Sequence, residues 1–165
     1  GLGDVYKRQN EGLNPQKTEP TNPLYSLDKQ QSSLVYYDKN TIVLTMPYWV
    51  KVTNSSVEDS EVKKHSFVLS YDPEAMTASD TKLKLYISHV VEDAGETVTR
   101  SNFTYAYRAY SIRAALAAFK EKTGKLPKYL ELTAEINNSK DELVDKDGKE
   151  TSVERSVEYD YAFTE

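Results

Sequence analysis

Residues 129–136 read YLELTAEI and residues 157–163 read VEYDYAF, with Asp147-Gly148 between them. In the first run Leu130, Leu132, Ala134 and Ile136 alternate with Tyr129, Glu131, Thr133 and Glu135. In the second, Val157, Tyr159, Tyr161 and Phe163 alternate with Glu158, Asp160 and Ala162. A two-residue period puts successive side chains on opposite faces of a strand. Asp-Gly is the favoured pair for a type I′ hairpin turn. A turn there sets Leu132 against Phe163, Ala134 against Tyr161 and Ile136 against Tyr159, so both apolar sets share a side. A slip of one residue would separate them. The expectation is a long C-terminal β-hairpin turning at Asp147-Gly148, with a buried base and a polar tip that projects.

Upstream of this hairpin lies one amphipathic helix, expected over about 112–123. Ile112, Ala115, Leu116 and Phe119 recur at helical spacing. Ser111 is a good N-cap residue, Gly124 suits the position after the last turn, and Pro127 stops continuation. Five further strands precede the helix. Leu34 and Tyr36 share a face, Asp38-Lys39-Asn40 turns the chain, and Ile42, Leu44, Met46, Tyr48, Val50 and Val52 form the face of the return strand. His65, Phe67, Leu69 and Tyr71 form another face, then Leu83, Leu85, Ile87, His89 and Val91, then Phe103, Tyr105, Tyr107 and Ala109. The fold class is α+β: about seven mostly antiparallel strands, as a sandwich or curved sheet, with the helix between strands 5 and 6.

Residues 10–32 are polar and rich in Pro, Asn, Gln and Lys, and read as a disordered arm that Leu24 and Tyr25 pin at its end. Residues 33–165 are expected to form a single domain. Gly1 to Gln9, GLGDVYKRQ, resemble translated sequencing-adapter read-through, a run that recurs at the ends of unrelated metagenomic proteins. The native sequence is therefore expected to start near Asn10, with its own N-terminus missing and localisation undetermined.

The 165 residues include no cysteine, which excludes disulfides, thiolate metal sites and a cysteine nucleophile. The net charge of −5 argues against a generally basic nucleic-acid binder, though not against a local patch. No stretch approaches ~18 consecutive apolar residues, so a soluble chain without a membrane partner is expected.

The two histidines invite a geometric test. Pairing Tyr71 with Leu83, Leu69 with Leu85 and Phe67 with Ile87 sets His65 opposite His89. Facing imidazoles are half a metal site or a pH-sensitive pair, but no spacing nominates further ligands, and a core-face position explains both. A second candidate arises from pairing Phe103 with Ile87. That register gathers Lys82, Lys84, Tyr86, Arg100 and Arg108 on one strand face, a basic aromatic surface of the kind that binds single-stranded nucleic acid. Residues 145–150 partly match a calcium loop but lack its full order, and the turn explains them. Glycosylation triplets begin at Asn54, Asn102 and Asn137 and matter only on a secreted chain.

Phosphate-loop, dinucleotide, nucleophile-elbow and H-E-x-x-H signatures are absent from the sequence. No cofactor is expected. The leading expectation is a non-enzymatic structural or assembly protein, such as a phage or viral virion component, acting through self-association. The alternatives are a single-stranded nucleic-acid-binding protein using the basic strand face, and a small pocketed enzyme or ligand-binding domain.

Overall fold

The computed structural model describes residues 13–139, 141–144, 149 and 151–164. The strands are β1 (Leu13–Asn14), β2 (Ser33–Asp38), β3 (Thr41–Val50), β4 (His65–Ser70), β5 (Lys82–Val91), β6 (Thr99–Arg100), β7 (Asn102–Ser111), β8 (Tyr129–Ile136), β9 (Leu143–Val144) and β10 (Val153–Asp160). The helices are α1 (Asp59–Val62) and α2 (Arg113–Thr123), with a 3-10 turn at Pro73–Ala75. One sheet has five strands in the order β1-β4-β5-β8-β10, another has three in the order β2-β3-β7, and β6 pairs with β9. The fold is α+β and strand-rich, with mixed and antiparallel pairing and one long helix.

The two large sheets share one core. β3 turns Ile42, Leu44, Met46, Tyr48 and Val50 inward, and these meet Phe67 and Leu69 of β4, Leu83, Leu85 and Ile87 of β5, and Leu130, Leu132, Ala134 and Ile136 of β8. Helix α2 adds Ala115, Leu116 and Phe119 to the same cluster and lies against β5 and the 3-10 turn. Its first turn begins one residue later than expected. Ser111 ends β7 and accepts a long hydrogen bond from the Arg113 amide, 3.4 Å. Gly124 closes the helix at φ +80°, a conformation that favours a residue without Cβ.

The pairing of β5 with β7 expected from the sequence is not formed. β5 lies between β4, antiparallel, and β8, parallel, while β7 pairs with β3 over Thr41↔Ser111 to Val50↔Asn102. The buried face of β7 is also the opposite one. Ala106 and Tyr110 point into the core, Phe103, Tyr105 and Tyr107 are exposed, and of the expected set Ala109 alone is buried. The reason is register: in an antiparallel ladder, residues directly opposite share a face. Ile42, Leu44 and Met46 stand opposite Tyr110, Arg108 and Ala106, so burying the β3 set turns these even residues of β7 inward. Arg108 is accommodated by lying over the Phe67 ring, 5.1 Å from its centroid.

The C-terminal pairing is antiparallel and keeps the expected faces together, but in another register. Val157 faces Leu132 and Tyr159 faces Leu130, where the turn reading set Phe163 against Leu132. The offset is even, so no side chain changes face. Asp147-Gly148 itself lies outside the described residues. The described part of the expected projecting tip folds back instead. Leu143 is buried and pairs with Arg100, and Asn137 is held by the Trp49 indole N–H at 2.7 Å. An apolar Leu-Val pair inside a polar loop gains by burial, and β6 supplies it with a partner strand.

Residues 13–32, read as a disordered arm, are folded onto the body. β1 runs parallel beside β4. Farther on, β5 and β8 diverge beyond Ile87 and Ala134, and residues 21–24 wedge between them. The amides of Thr21 and Asn22 donate to the His89 carbonyl, the Leu24 amide donates to Glu135, and the Asn137 amide donates to Leu24. Leu24 and Leu27 are buried, and Tyr25 stacks on Phe103, so the wedge adds apolar burial and satisfies strand carbonyls.

Candidate ligand cleft

The outer face of the five-stranded sheet carries a cleft of about 260 Å3. Its floor follows from strand alternation. With Leu69, Leu85 and Leu132 turned into the core, their neighbours Ser70, Tyr86 and Thr133 face outward and stand side by side across β4, β5 and β8. Tyr71, Met76 and the 3-10 turn form one wall, and Lys82 and Lys84 border another side. Lys17 comes from the N-terminal segment and sets its ammonium 4.2 Å from the centre of the Tyr86 ring. Thr18 anchors that segment by accepting a hydrogen bond from the Ser88 hydroxyl.

The polar groups of the cleft divide into engaged and unengaged sets. Asp72 accepts the Glu74 amide, and Asp80 accepts the Thr77 amide and hydroxyl, so both carboxylates stabilise local turns. Lys82 pairs with Glu158 at 2.8 Å and approaches Glu131 at 3.8 Å. Among the described residues Lys84 makes no ion pair, though its charge lowers the Asp80 carboxyl, and Lys17 lies over the Tyr86 ring with its charge also felt by Glu19. The Ser70 and Tyr86 hydroxyls are buried and have no hydrogen-bond partner among the described residues. Ser70 as a residue is 1% exposed. Burial pushes the Tyr86 hydroxyl pKa well above its ordinary value, and Glu135, Glu154 and Glu19 add to the effect. A buried hydroxyl without a partner costs about 1–3 kcal/mol, so both hydroxyls sit at a cost just beneath the cleft floor.

The histidines lie elsewhere, between the two sheets. The strand register sets Phe67, not His65, opposite His89, and His65 opposite Val91. The imidazoles still meet diagonally: His65 Nδ1 is 2.8 Å from His89 Nε2, and the rings stack at 5.0 Å. His89 Nδ1 is 3.0 Å from the Pro23 carbonyl, and His65 Nε2 is 3.2 Å from Glu61 Oε2. Glu61 also accepts the Lys51 amide at 2.7 Å and the Arg100 guanidinium at 2.9 and 3.2 Å. Arg100 bonds both oxygens of Asp93 at 3.1 Å, and Lys64 joins Asp93 at 3.1 Å. Burial alone would raise the Glu61 carboxyl, but Arg100, the Lys51 amide and His65 together hold it at about 2. Burial depresses His65 against the opposing pull of Glu61, and it depresses His89 to about 3. Among the described residues no group of three or more His, Asp or Glu side chains converges as a metal site.

The basic face expected from the sequence is thus divided. Lys82, Lys84 and Tyr86 stay together in the cleft. Arg100 is 0% exposed inside the ionic cluster, and Arg108 faces the core from the other sheet. Sequence reasoning missed Lys17, Tyr71 and Met76 as cleft residues, because loops and the N-terminal segment bring them in, and Ser70, because only the β4–β5 register sets it beside Tyr86. Glu61 had one available signal, its position four residues before His65.

No family model matches this chain, and no curated protein matches it. Among solved structures it is similar to the crystal structure of a protein named "Putative lipoprotein" from Bacteroides fragilis NCTC 9343. The TM-score is 0.73 at 26% identity, covering 93% of this chain and 70% of the other. Among the described residues no helix is long and apolar enough to cross a membrane.

Proposed function

We propose that this fold is a non-catalytic binding module of the bacterial cell envelope, and that its outer-sheet cleft takes a small amphipathic anion. The observation that carries the reading is the pair of hydroxyls, Ser70 and Tyr86, without a partner among the described residues and beside the Lys17 and Lys84 ammonium groups. Tyr71, Met76 and the Tyr86 ring offer apolar contact, the hydroxyls offer hydrogen bonds, and the lysines offer charge. A carboxylic acid or phosphate monoester with an apolar body matches that set. The likeness to the Bacteroides fragilis protein supports the envelope setting, since a lipoprotein stands at a membrane surface.

The test is a panel of aliphatic and aromatic carboxylates, phosphate monoesters and a short oligonucleotide, followed by amide chemical shifts at low and high salt. Saturable shifts at Lys17, Ser70 and Tyr86 that Lys84→Glu abolishes support the reading. A panel that moves none of these amides sinks it, and a response to the oligonucleotide alone returns the face to nucleic-acid binding.

A second reading, self-association, is favoured by one observation. The outer face of the three-stranded sheet displays Val35, Tyr37, Phe103, Tyr105 and Tyr107, and Tyr107 is 58% exposed. Contiguous exposed apolar surface of this kind marks contact sites. Light scattering at rising concentration decides: a dimer lost in Tyr107→Lys supports this reading, and a strict monomer removes it.

A further inference from the structure

Three polar contacts run in series through the interior: Pro23 carbonyl to His89 Nδ1, His89 Nε2 to His65 Nδ1, and His65 Nε2 to Glu61 Oε2. Both ends of the series are acceptors. Filling all three contacts needs three protons on the four ring nitrogens, and two neutral imidazoles carry only two. Glu61 does not supply the third, because Arg100 and the Lys51 amide hold it ionised. One contact in the neutral cluster is therefore lone pair against lone pair. It falls most cheaply at Pro23, whose carbonyl is uncharged, rather than at the Glu61 carboxylate.

A third proton would complete the series but would bring a positive charge whose nearest anion, Glu61, is shared with Arg100. Glu61 from α1 and Asp93 from the turn after β5 are already matched by Arg100 of β6 and by Lys64 just before β4. From β3, Tyr48 packs its ring edge on both imidazoles and raises no carboxylate toward them. From β7, Arg108 lies behind Phe67, whose ring stacks on His89 at 4.9 Å, and adds a further positive charge. The pair thus lacks a proton when neutral and lacks an anion of its own when protonated. Release of Pro23 relieves both states, because water then reaches His89.

We infer that the His65–His89 pair is an acid-sensitive latch, and that its protonation releases the 21–24 wedge from between β5 and β8. The wedge is the element that moves because His89 touches it at both of its polar ends: its carbonyl accepts the Thr21 and Asn22 amides, and its ring abuts the Pro23 carbonyl across the contact that lacks a proton. The sign follows from linkage. The closed-state pKa of His89 lies below its ordinary value, so the open state binds more protons. Closure is fully favoured above the ordinary value and weakens as pH falls from 6.5 toward about 3. The latch stands whether or not the cleft binds a ligand.

Hydrogen exchange of the full chain between pH 7.5 and 5 tests it, with intrinsic exchange rates divided out. The Thr21, Asn22, Leu24 and Asn137 amides should show an opening constant about 30-fold larger at pH 5, from a single proton with pKa 6.5 open and about 3 closed. Amides in the β3–β7 ladder should not change, and His89→Phe, which keeps a ring beside Phe67, should flatten the response. Histidine ring 15N shifts of the unmutated protein provide a readout independent of the variant's folding, and should show His89 neutral while the wedge is closed. The inference is overturned by wedge opening that is independent of pH, by an equal rise in the β3–β7 ladder, by persistence of the rise in His89→Phe, or by a closed state with His89 charged.

Discussion

Arg100→Met is the sharpest perturbation this structure offers. The guanidinium is fully enclosed and bonds Glu61 at 2.9 and 3.2 Å and Asp93 at 3.1 Å. Met fills much of the same volume but supplies no charge, so the carboxylates remain buried without their main partner. Removing one member of a buried ion pair typically costs about 3–5 kcal/mol. Here Asp93 keeps Lys64, and Glu61 keeps the Lys51 amide and His65, so the expected loss is near the lower end, about 3 kcal/mol. Arg100→Lys, which restores charge but not the two-point contact, should recover part of it. Urea unfolding followed by the fluorescence of Trp49, the single tryptophan, measures both variants. The pH dependence has a definite sign. In the unmutated protein Glu61, held at about 2, contributes stability above 4.5 that is lost as pH falls toward 2. Without Arg100 its carboxyl rises, so the variant relieves its unpaired charge by taking up a proton, and the gap to the unmutated protein narrows between pH 7 and 5. A loss under about 1 kcal/mol at pH 7, or a gap that widens in acid, would refute the view of Arg100 as the counter-ion of this cluster.

Ser70→Ala removes a buried hydroxyl that has no partner among the described residues, so stability should stay level or rise by up to about 1 kcal/mol while cleft binding weakens; paired unfolding and titration curves check it. Gly124→Ala meets no atom within 4 Å, so its cost is backbone strain at φ +80° alone, about 1 kcal/mol and a Tm lower by roughly 2–4 °C in calorimetry. Phe119→Ala empties the buried face of α2 and should cost about 3–5 kcal/mol in denaturant, the largest loss of these three.

Alternation along single segments was legible, and so were the ends of the helix. Leu83, Leu85 and Ile87, and Leu130, Leu132, Ala134 and Ile136, announce their buried faces, and each is buried. Phe103, Tyr105 and Tyr107 misled, because an aromatic outer face alternates as well as an inner one does. Of the candidate site, Lys82, Lys84 and Tyr86 were visible as a set on one strand face. Arg100 was not distinguishable from them, since a buried arginine and a surface arginine look alike until their carboxylates are located.

The amino-acid order alone therefore determined the local periods, the faces of β3, β4, β5 and β8, and the stop of α2 at Gly124, because these depend on neighbours a few residues away. Tertiary structure decided which strands meet. Ladder hydrogen bonds are chemically alike along every strand, so pairing is chosen by how whole faces pack rather than by any local signal. Only that packing set β7 against β3, seated residues 21–24 between β5 and β8, and enclosed Glu61, Arg100 and the two imidazoles in one interior cluster.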